Sequence, residues 1–163
     1  MSVERARAYL EKWNLQDRIR VLDESSATVE LAAKALHVEG ARIAKTLSYM
    51  VDGAPVLVVA AGDVRVDNRK FKDAFHTKAK MLTPEQAEEL VGYSVGGVCP
   101  FGVNEGVKVY LDESLKRFET VFPAAGSSNS AIELTITELE SASQSLGWVD
   151  LKAAVPPATD CRV

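Results

Sequence analysis

The chain of 163 residues contains few cysteines and histidines, the side chains that form disulfides and most often bind zinc. Its two cysteines, Cys99 and Cys161, are too few for a disulfide framework and indicate a reducing compartment. Its two histidines, His37 and His76, have no cysteine or carboxylate at ligand spacing, and a zinc site needs three or four such ligands. We therefore expect no metal site and no cofactor.

Long hydrophobic runs and a basic charge balance are also missing. The longest apolar stretch, residues 54–61, is far too short to cross a bilayer, and the charged residues 1–5 are unlike a signal peptide. These features predict a cytoplasmic protein without a membrane partner. Because the formal net charge is −4, RNA binding would need a local basic patch, and no DNA partner is expected.

The common hydrolase and nucleotide-binding motifs are absent too. The sequence has no Gly-x-Ser-x-Gly elbow and no phosphate-binding loop that ends in Gly-Lys-Ser/Thr. Cys99 lies in a glycine-rich turn without an obvious histidine partner in sequence, and we interpret it as a small residue that fills the turn. The alternative is that Cys99 is a nucleophile whose catalytic partner lies far away in the sequence.

Hydrophobic spacing, caps and turn residues predict short helices and strands. Helices are predicted over residues 3–13, after Ser26, from Asp67 through Ala74, from Thr83 with its capping-box Gln86, and from Thr137 to about Leu146. Strands are predicted at residues 20–22, 46–51, 55–61, 107–111, 120–122, 132–134 and 148–151, with a hairpin turn at Asp52-Gly53.

Helices interrupt these predicted strands on no regular period. The expected fold class is therefore α+β, a mixed β-barrel-like sheet surrounded by helices. We expect one domain over residues 1–154 and a flexible tail at residues 155–163.

Lys45 lies at the entrance to an apolar strand. On composition, a solvated lysine at a strand end is the more common case. A lysine in this place can also reach into a cleft and hold an anionic or carbonyl oxygen. Composition does not choose between these two interpretations.

Two glycine-containing segments, residues 92–102 and 126–130, have the most unusual composition. Four glycines and a proline in the first segment restrict the backbone path and allow a ligand to approach main-chain N–H groups. The second segment offers hydroxyls and an amide for hydrogen bonding. A plain turn between strands is the alternative for each segment.

Residues 65–80 are the only segment with a clear positive balance. The cations that favour tRNA binding here are Arg65, Arg69, Lys70 and Lys72. They are suited to a phosphate backbone, and a solvated helix face is equally consistent with them. Phe71 and Phe75, at helical spacing, predict core contacts and not base-stacking platforms.

Three motifs follow one another along the chain. They are Ala44-Lys45-Thr46-Leu47, the Gly-Tyr-x-Val-Gly-Gly-x-x-Pro-x-Gly pattern of residues 92–102, and Gly126 followed by Ile132-Glu133-Leu134. In order and spacing they resemble the YbaK/prolyl-tRNA-synthetase-associated domain family, over most of the chain as far as about Leu151. The ordered set is far more specific than the short lysine motif alone.

The resemblance implies a β-barrel-like core and trans-editing, the hydrolysis of the ester bond of a mischarged tRNA. The substrate it implies is tRNA(Pro) carrying Cys, Ala, Ser or Thr, with prolyl-tRNA synthetase as a candidate second partner. The catalytic residues that it implies are Lys45, Gly96, Gly97 and Gly126. The substrate-binding residues assigned with them are Ser26, Thr28, Thr46, Tyr93, Cys99, Pro100, Phe101, Ser127, Ser128 and Asn129.

This site suits the reaction chemically. An aminoacyl ester is already activated, so hydrolysis needs positioning and charge stabilisation more than a strong nucleophile. We expect Lys45 to anchor the terminal adenosine and polarise the ester, and main-chain N–H groups near Gly96 and Gly97 or at Gly126 to hold the oxyanion. Water, oriented by the ribose hydroxyl of the substrate, would attack.

Two positions depart from relatives. Cys99 stands where serine is common, and residues 127–131 lack the Lys-Arg-Gly-Leu-Asp pattern of the cysteinyl-specific branch, with Ala131 in place of the aspartate. The hydroxyl-rich loop points instead to Ser, Thr or Ala. The alternatives to editing are a non-catalytic tRNA- or synthetase-associated binding module, a small-molecule ester or amide hydrolase, and an inert relative with Lys45 in a surface ion pair.

Overall fold

A computed structural model describes residues 3–94 and 96–153, and the tail predicted at residues 155–163 lies outside these ranges. The helices are α1 (Val3–Leu10), α2 (Val29–Leu36), α3 (Asn68–Phe75), α4 (Pro84–Gln86, continued by a π-helix over Ala87–Val91) and α5 (Ile136–Ser143). The strands are β1 (Ile19–Val21), β2 (Ile43–Val51), β3 (Ala54–Ala61), β4 (Lys108–Asp112), β5 (Thr120–Pro123), β6 (Ser130–Ile132), β7 (Leu134–Thr135) and β8 (Trp148–Val149).

Six strands form one mixed, curled sheet in the order β7-β5-β2-β3-β4-β8. The β2–β3 and β5–β7 pairs are antiparallel, and the β2–β5, β3–β4 and β4–β8 pairs are parallel. β1 and β6 form a separate antiparallel pair. The half-barrel sheet with its helices confirms the predicted α+β class.

Local signals in the sequence account for several element boundaries. Asp52 and Gly53 both have positive φ, 51° and 78°, which a tight hairpin turn between β2 and β3 requires. The Asp67 carboxylate accepts hydrogen bonds from the first N–H groups of α3, and Thr83 forms the predicted capping box with Gln86. These three predictions are confirmed.

The prediction that Thr137 caps the last helix is wrong. Thr135 is the cap: its hydroxyl accepts from the Glu138 N–H at 3.1 Å, and the Glu138 carboxylate accepts from the Thr135 N–H at 2.9 Å. The strand expected at residues 132–134 is likewise divided at Glu133, because β6 pairs with β1 whereas β7 pairs with β5. Both errors arise because long-range pairing sets where this strand ends.

The two faces of the central hairpin pack against different layers. Alternate residues of β3 face the main core and a second cluster, since successive side chains of a strand point to opposite faces. In the second cluster the Phe71 ring lies 4.6 Å from the Tyr49 ring and 4.7 Å from the Phe75 ring, measured between centroids. Phe71 and Phe75 are therefore core residues, as their spacing predicted.

Candidate functional site

A cavity of about 290 Å³ lies beside β2, where this strand lacks a neighbour on one side. β3 pairs with β2 along its other side, and β5 pairs only with Ile43 and Ala44. The next contact on the open side is the bridge between Tyr49 and Met81. Residues 45–47 of β2 therefore border a gap in the sheet, and the cavity occupies this gap.

Thr46 turns its main chain toward the gap. Two residues farther along β2, the Ser48 carbonyl accepts from the Leu82 N–H at 3.1 Å, and the Met50 N–H donates to the Lys80 carbonyl at 2.8 Å. Because strand geometry repeats every two residues, the N–H and C=O groups of Thr46 point to the same side. No strand of the described residues pairs with Thr46 there.

Two hydroxyl side chains on β2 line the cavity. Within residues 3–94 and 96–153, the buried Thr46 Oγ1 atom has no hydrogen-bond partner. Ser48, a buried residue two positions farther along the strand, lies on the same face of β2 and lines the same cavity. Buried hydroxyls are normally hydrogen-bonded, so the Thr46 hydroxyl is available to a bound ligand.

Lys45 is partly buried at the edge of the cavity. Its Nζ atom donates a hydrogen bond to the main-chain oxygen of Val64, which uses one of the three ammonium donors. Burial lowers the pKa of Lys45 below the usual lysine value, and the negative charges of Asp63 and Glu30 oppose that shift. The ammonium is thus held in place with two donors left for a ligand.

An ion pair anchors the loop that positions Lys45. The Asp63 carboxylate accepts two hydrogen bonds from the Arg117 guanidinium, at 2.6 and 3.0 Å, which lowers the pKa of Asp63. Asp63 immediately precedes Val64, whose carbonyl binds Lys45. The preceding residue, Gly62, lies so close to Gly40 that a Cβ atom at position 62 would stand 2.0 Å from the Gly40 oxygen.

Three loops meet at the opposite wall of the site. A Cβ atom at Gly96, where φ is +95°, would lie 3.2 Å from the Ala27 Cβ and 3.3 Å from the Ser128 Cβ. A Cβ atom at Gly97 would lie 2.7 Å from the main-chain nitrogen and Cα of Ser127. The two glycine-containing segments predicted from sequence therefore pack main chain against main chain.

The polar groups of the loop at residues 126–130 are hydrogen-bonded within the protein. The Ser127 hydroxyl donates to Asn129 Oδ1 at 2.8 Å, and the Asn129 amide donates to the Leu22 carbonyl at 3.1 Å. The Ser26 N–H binds the Ser128 carbonyl at 2.6 Å. The Ser127 hydroxyl and the Asn129 amide, both predicted to bind substrate, thus hold the loop together.

The predicted site residues fall into two layers. The cavity is lined by Ser26, Thr28, Lys45, Thr46 and Gly96. The layer behind these residues, which does not line the cavity, contains Gly97, Gly126, Ser127, Ser128 and Asn129. Of the proposed oxyanion donors, the Gly97 N–H is already bonded to the Ser94 carbonyl at 3.0 Å.

Direct substrate contact by Tyr93, Cys99 and Phe101 is a prediction that the structure corrects. All three are fully buried in the main core, and the Tyr93 hydroxyl donates to the Phe101 carbonyl. Burial raises the pKa of the Cys99 thiol to about 12, which makes it a core side chain and not a nucleophile. Pro100 lines a different cavity, together with Tyr9.

The buried part of the glycine-rich segment is held by the first helix. Arg5 of α1 donates from Nε to the Gly102 carbonyl at 2.5 Å and from Nη2 to Asn104 Oδ1 at 2.8 Å. Gly92 has a φ of +108°, a backbone conformation that residues with a side chain rarely adopt, so this position favours glycine. This segment therefore serves packing at both ends and the cavity only around Gly96.

The basic residues predicted to bind tRNA lie on and before α3 and do not line the cavity. Lys70 Nζ donates to the Lys152 carbonyl at 2.7 Å and approaches the Asp150 carboxylate at 3.3 Å. Arg65, Arg69 and Lys72 are exposed. Their contact with tRNA stays a prediction.

Several residues that line the cavity were not among the site residues predicted from the sequence. Ser48 could have been predicted, because side chains two positions apart on a strand point to the same face, and Thr46 was already assigned to the site. Met81, Leu82 and Phe122 carried no such signal, since they reach the cavity through pairing with β2 or packing beside it.

Within residues 3–94 and 96–153, no three His, Cys, Asp or Glu side chains cluster as metal ligands would. In the same part of the chain, none of the helices has the length and apolar character needed to cross a bilayer.

Comparison with known proteins gives relatives of nearly full length. The Bacillus subtilis (strain 168) protein YwhH, itself uncharacterised, is 49% identical over 152 residues, which cover 93% of this chain and 97% of YwhH. The crystal structure of a candidate trans-editing enzyme for prolyl-tRNA synthetase has a TM-score of 0.85 and 29% identity, and the match covers 93% of this chain and 97% of that one.

More distant matches lie within a larger enzyme. The proline–tRNA ligase of Lysinibacillus sphaericus (strain C3-41) is 33% identical over 103 residues, which cover 63% of this chain but only 18% of the ligase. The family model described as the aminoacyl-tRNA editing domain matches residues 23–142, which include Lys45 and the three loops of the site. The resemblance seen in the sequence is confirmed, and the chain belongs to the aminoacyl-tRNA editing domain family.

Proposed function

We propose that this chain is a trans-editing deacylase that hydrolyses the ester bond of a mischarged tRNA, with tRNA(Pro) carrying a small amino acid as its substrate. The observation that carries the proposal is the Lys45 ammonium, held by Val64 at the edge of a small cavity in a chain of the editing family. The similarity to a candidate trans-editing enzyme for prolyl-tRNA synthetase and to proline–tRNA ligases supports tRNA(Pro).

The chemistry follows from the donors that face the cavity. An aminoacyl ester needs a stabilised oxyanion and a placed water more than a strong nucleophile. Lys45 offers two ammonium donors to the ester and to the terminal adenosine. The Thr46 N–H, which points into the gap, and the main chain of Gly96 are the donors proposed for the oxyanion, and the ribose hydroxyl of the substrate orients the water.

The size and polarity of the cavity support a small, hydroxyl-bearing amino acid. Its volume of about 290 Å³ lies just below the usual range of ligand pockets, about 300 to 1,000 Å³. The unpartnered Thr46 hydroxyl, with the Ser48 hydroxyl in the same cavity, would pair with the side-chain hydroxyl of Ser or Thr. Among Cys, Ala, Ser and Thr, we therefore propose Ser and Thr as the preferred residues.

The decisive experiment is deacylation of tRNA(Pro) charged with Ala, Cys, Ser or Thr. Wild-type protein, Lys45→Ala and a control, Lys108→Ala, are compared; Lys108 is exposed at the start of β4. We expect selective release that Lys45→Ala abolishes and Lys108→Ala retains. Binding of tRNA without release by the wild type would replace the proposal with a non-catalytic tRNA-binding module, and full activity of Lys45→Ala would refute the mechanism.

A further inference from the structure

The mouth of the cavity has an apolar edge. Met81 and Pro84 both line the cavity and are exposed, and 56% of the Met81 surface is accessible to water. The other large exposed hydrophobic residues in the described part of the chain, Val21, Leu31 and Leu146, do not line it. Exposed apolar surface that adjoins a ligand cavity commonly belongs to the binding site.

The backbone holds Met81 in a fixed position. Met81 forms a bridge with Tyr49, and the residues on either side of Met81 are hydrogen-bonded to β2, through the Lys80 carbonyl at 2.8 Å and the Leu82 N–H at 3.1 Å. The main chain at Met81 is thus held in place before any ligand arrives, so binding needs to order only the side chain.

The charges around this edge favour a nucleotide over an apolar protein surface. Two exposed lysines, Lys78 and Lys80, precede this edge in the sequence, and one exposed carboxylate, Glu85, follows Pro84. An apolar side chain beside cations matches a ligand with a flat base and a phosphate. A protein partner that buried this edge would also have to desolvate the two lysines.

We propose that Met81 and Pro84 form the platform for the base of the 3′-terminal nucleotide of the tRNA. This inference rests on the proposed function, because the scissile ester joins the amino acid to the ribose of that nucleotide. With the aminoacyl group inside the cavity, the ribose lies at the mouth and the base lies one sugar ring farther out. The thioether of a methionine makes favourable contacts with aromatic rings.

The first test compares Met81→Ala with Leu146→Ala, a matched control because Leu146 is 61% exposed and lines a different cavity. On the mischarged tRNA, we expect Met81→Ala to raise KM about two- to tenfold at unchanged kcat, since the base contact is equal in the ground and transition states. Leu146→Ala should keep the wild-type KM. An unchanged KM in Met81→Ala, or a loss seen only when prolyl-tRNA synthetase is present, overturns the proposal.

The second test does not depend on catalysis. With methionine methyl groups labelled with ¹³C, AMP should shift the Met81 signal upfield in a saturable way through the ring current of its base. Ribose 5-phosphate, which lacks a base, should leave the signal in place, and Met81→Leu assigns it. If no mischarged tRNA is hydrolysed, the proposed function fails, but this titration still tests the platform. If AMP does not shift the Met81 signal, the platform is refuted and the proposed function is not.

Discussion

The main chain of Gly97 lies directly against that of Ser127: a Cβ atom at Gly97 would stand 2.7 Å from the nitrogen and Cα of Ser127. Backbone atoms, unlike the end of a flexible side chain, cannot move away cheaply. This contact joins two loops that are about 30 residues apart in sequence, and it sets the position of Gly96 at the cavity.

Gly97→Ala is therefore expected to lower both stability and activity. Overpacking of this kind costs about 1–3 kcal/mol, measured as the change in the free energy of unfolding in urea. Gly147→Ala is the matched control, because nothing lies within 4 Å of a Cβ atom there, and it should be neutral or slightly stabilising. Equal effects of the two substitutions would show that the loop contact is unimportant.

Lys45→Met should separate stability from activity. Burial lowers the pKa of Lys45, so at neutral pH the charged form is less favoured in the folded chain than in the unfolded chain. Methionine keeps the aliphatic stem without the charge, and we expect an unchanged or higher melting temperature together with lost deacylation. The change in melting temperature is compared with that of Lys108→Met. A much larger drop in Lys45→Met would mean that the Lys45 ammonium stabilises the fold.

The same lowered pKa predicts the alkaline limit of activity. The ammonium is present below the pKa of Lys45 and is lost as the pH rises through it, and this pKa lies below the usual lysine value of about 10.4. Enzyme-dependent deacylation, corrected for spontaneous ester hydrolysis, should fall over the pH range in which the ¹³Cε signal of Lys45 titrates. A rate that stays constant through that titration would exclude a role for the charge.

Thr46→Val and Ser48→Ala should change the choice of amino acid more than the reaction itself. Each hydrogen bond contributes about 0.5–1.5 kcal/mol, so each substitution should lower kcat/KM about two- to tenfold for seryl- and threonyl-tRNA and little for alanyl-tRNA. Thr137→Val, on an exposed turn of α5, is the control. Equal losses on all substrates would show that the two hydroxyls do not contact the side chain of the amino acid esterified to the tRNA.

Cys99 should be chemically silent in the folded protein. Its thiol is fully buried, and its pKa is raised to about 12, so almost no thiolate is present at pH 8. Iodoacetamide followed by peptide mapping should leave the Cys99 peptide unmodified until urea is added, and Cys99→Ala should retain deacylation. Rapid native alkylation, or loss of activity in a folded Cys99→Ala variant, would reopen its role as a nucleophile.

Residues that act within a few positions of one another were predictable from the sequence. The Asp52-Gly53 turn and the caps at Asp67 and Thr83 depend on turn and capping chemistry that closes within four residues. The family and the α+β class were also predictable, because the order of the motifs survives in the linear sequence. Lys45 was identified in the same way, and the structure places it at the cavity.

The tertiary structure alone decided which side chains face the cavity. Whether Ser48 and Met81 reach it depends on β5 ending its pairing at Ala44 and on a distant segment pairing at Tyr49, which leaves the gap in the sheet. The same motif that pointed to the site sends Tyr93, Cys99 and Phe101 into the core instead. Capping and turn preferences depend on interactions between residues that are neighbours in the sequence. Strand pairing and burial depend on contacts between segments far apart in the sequence, which no short motif specifies.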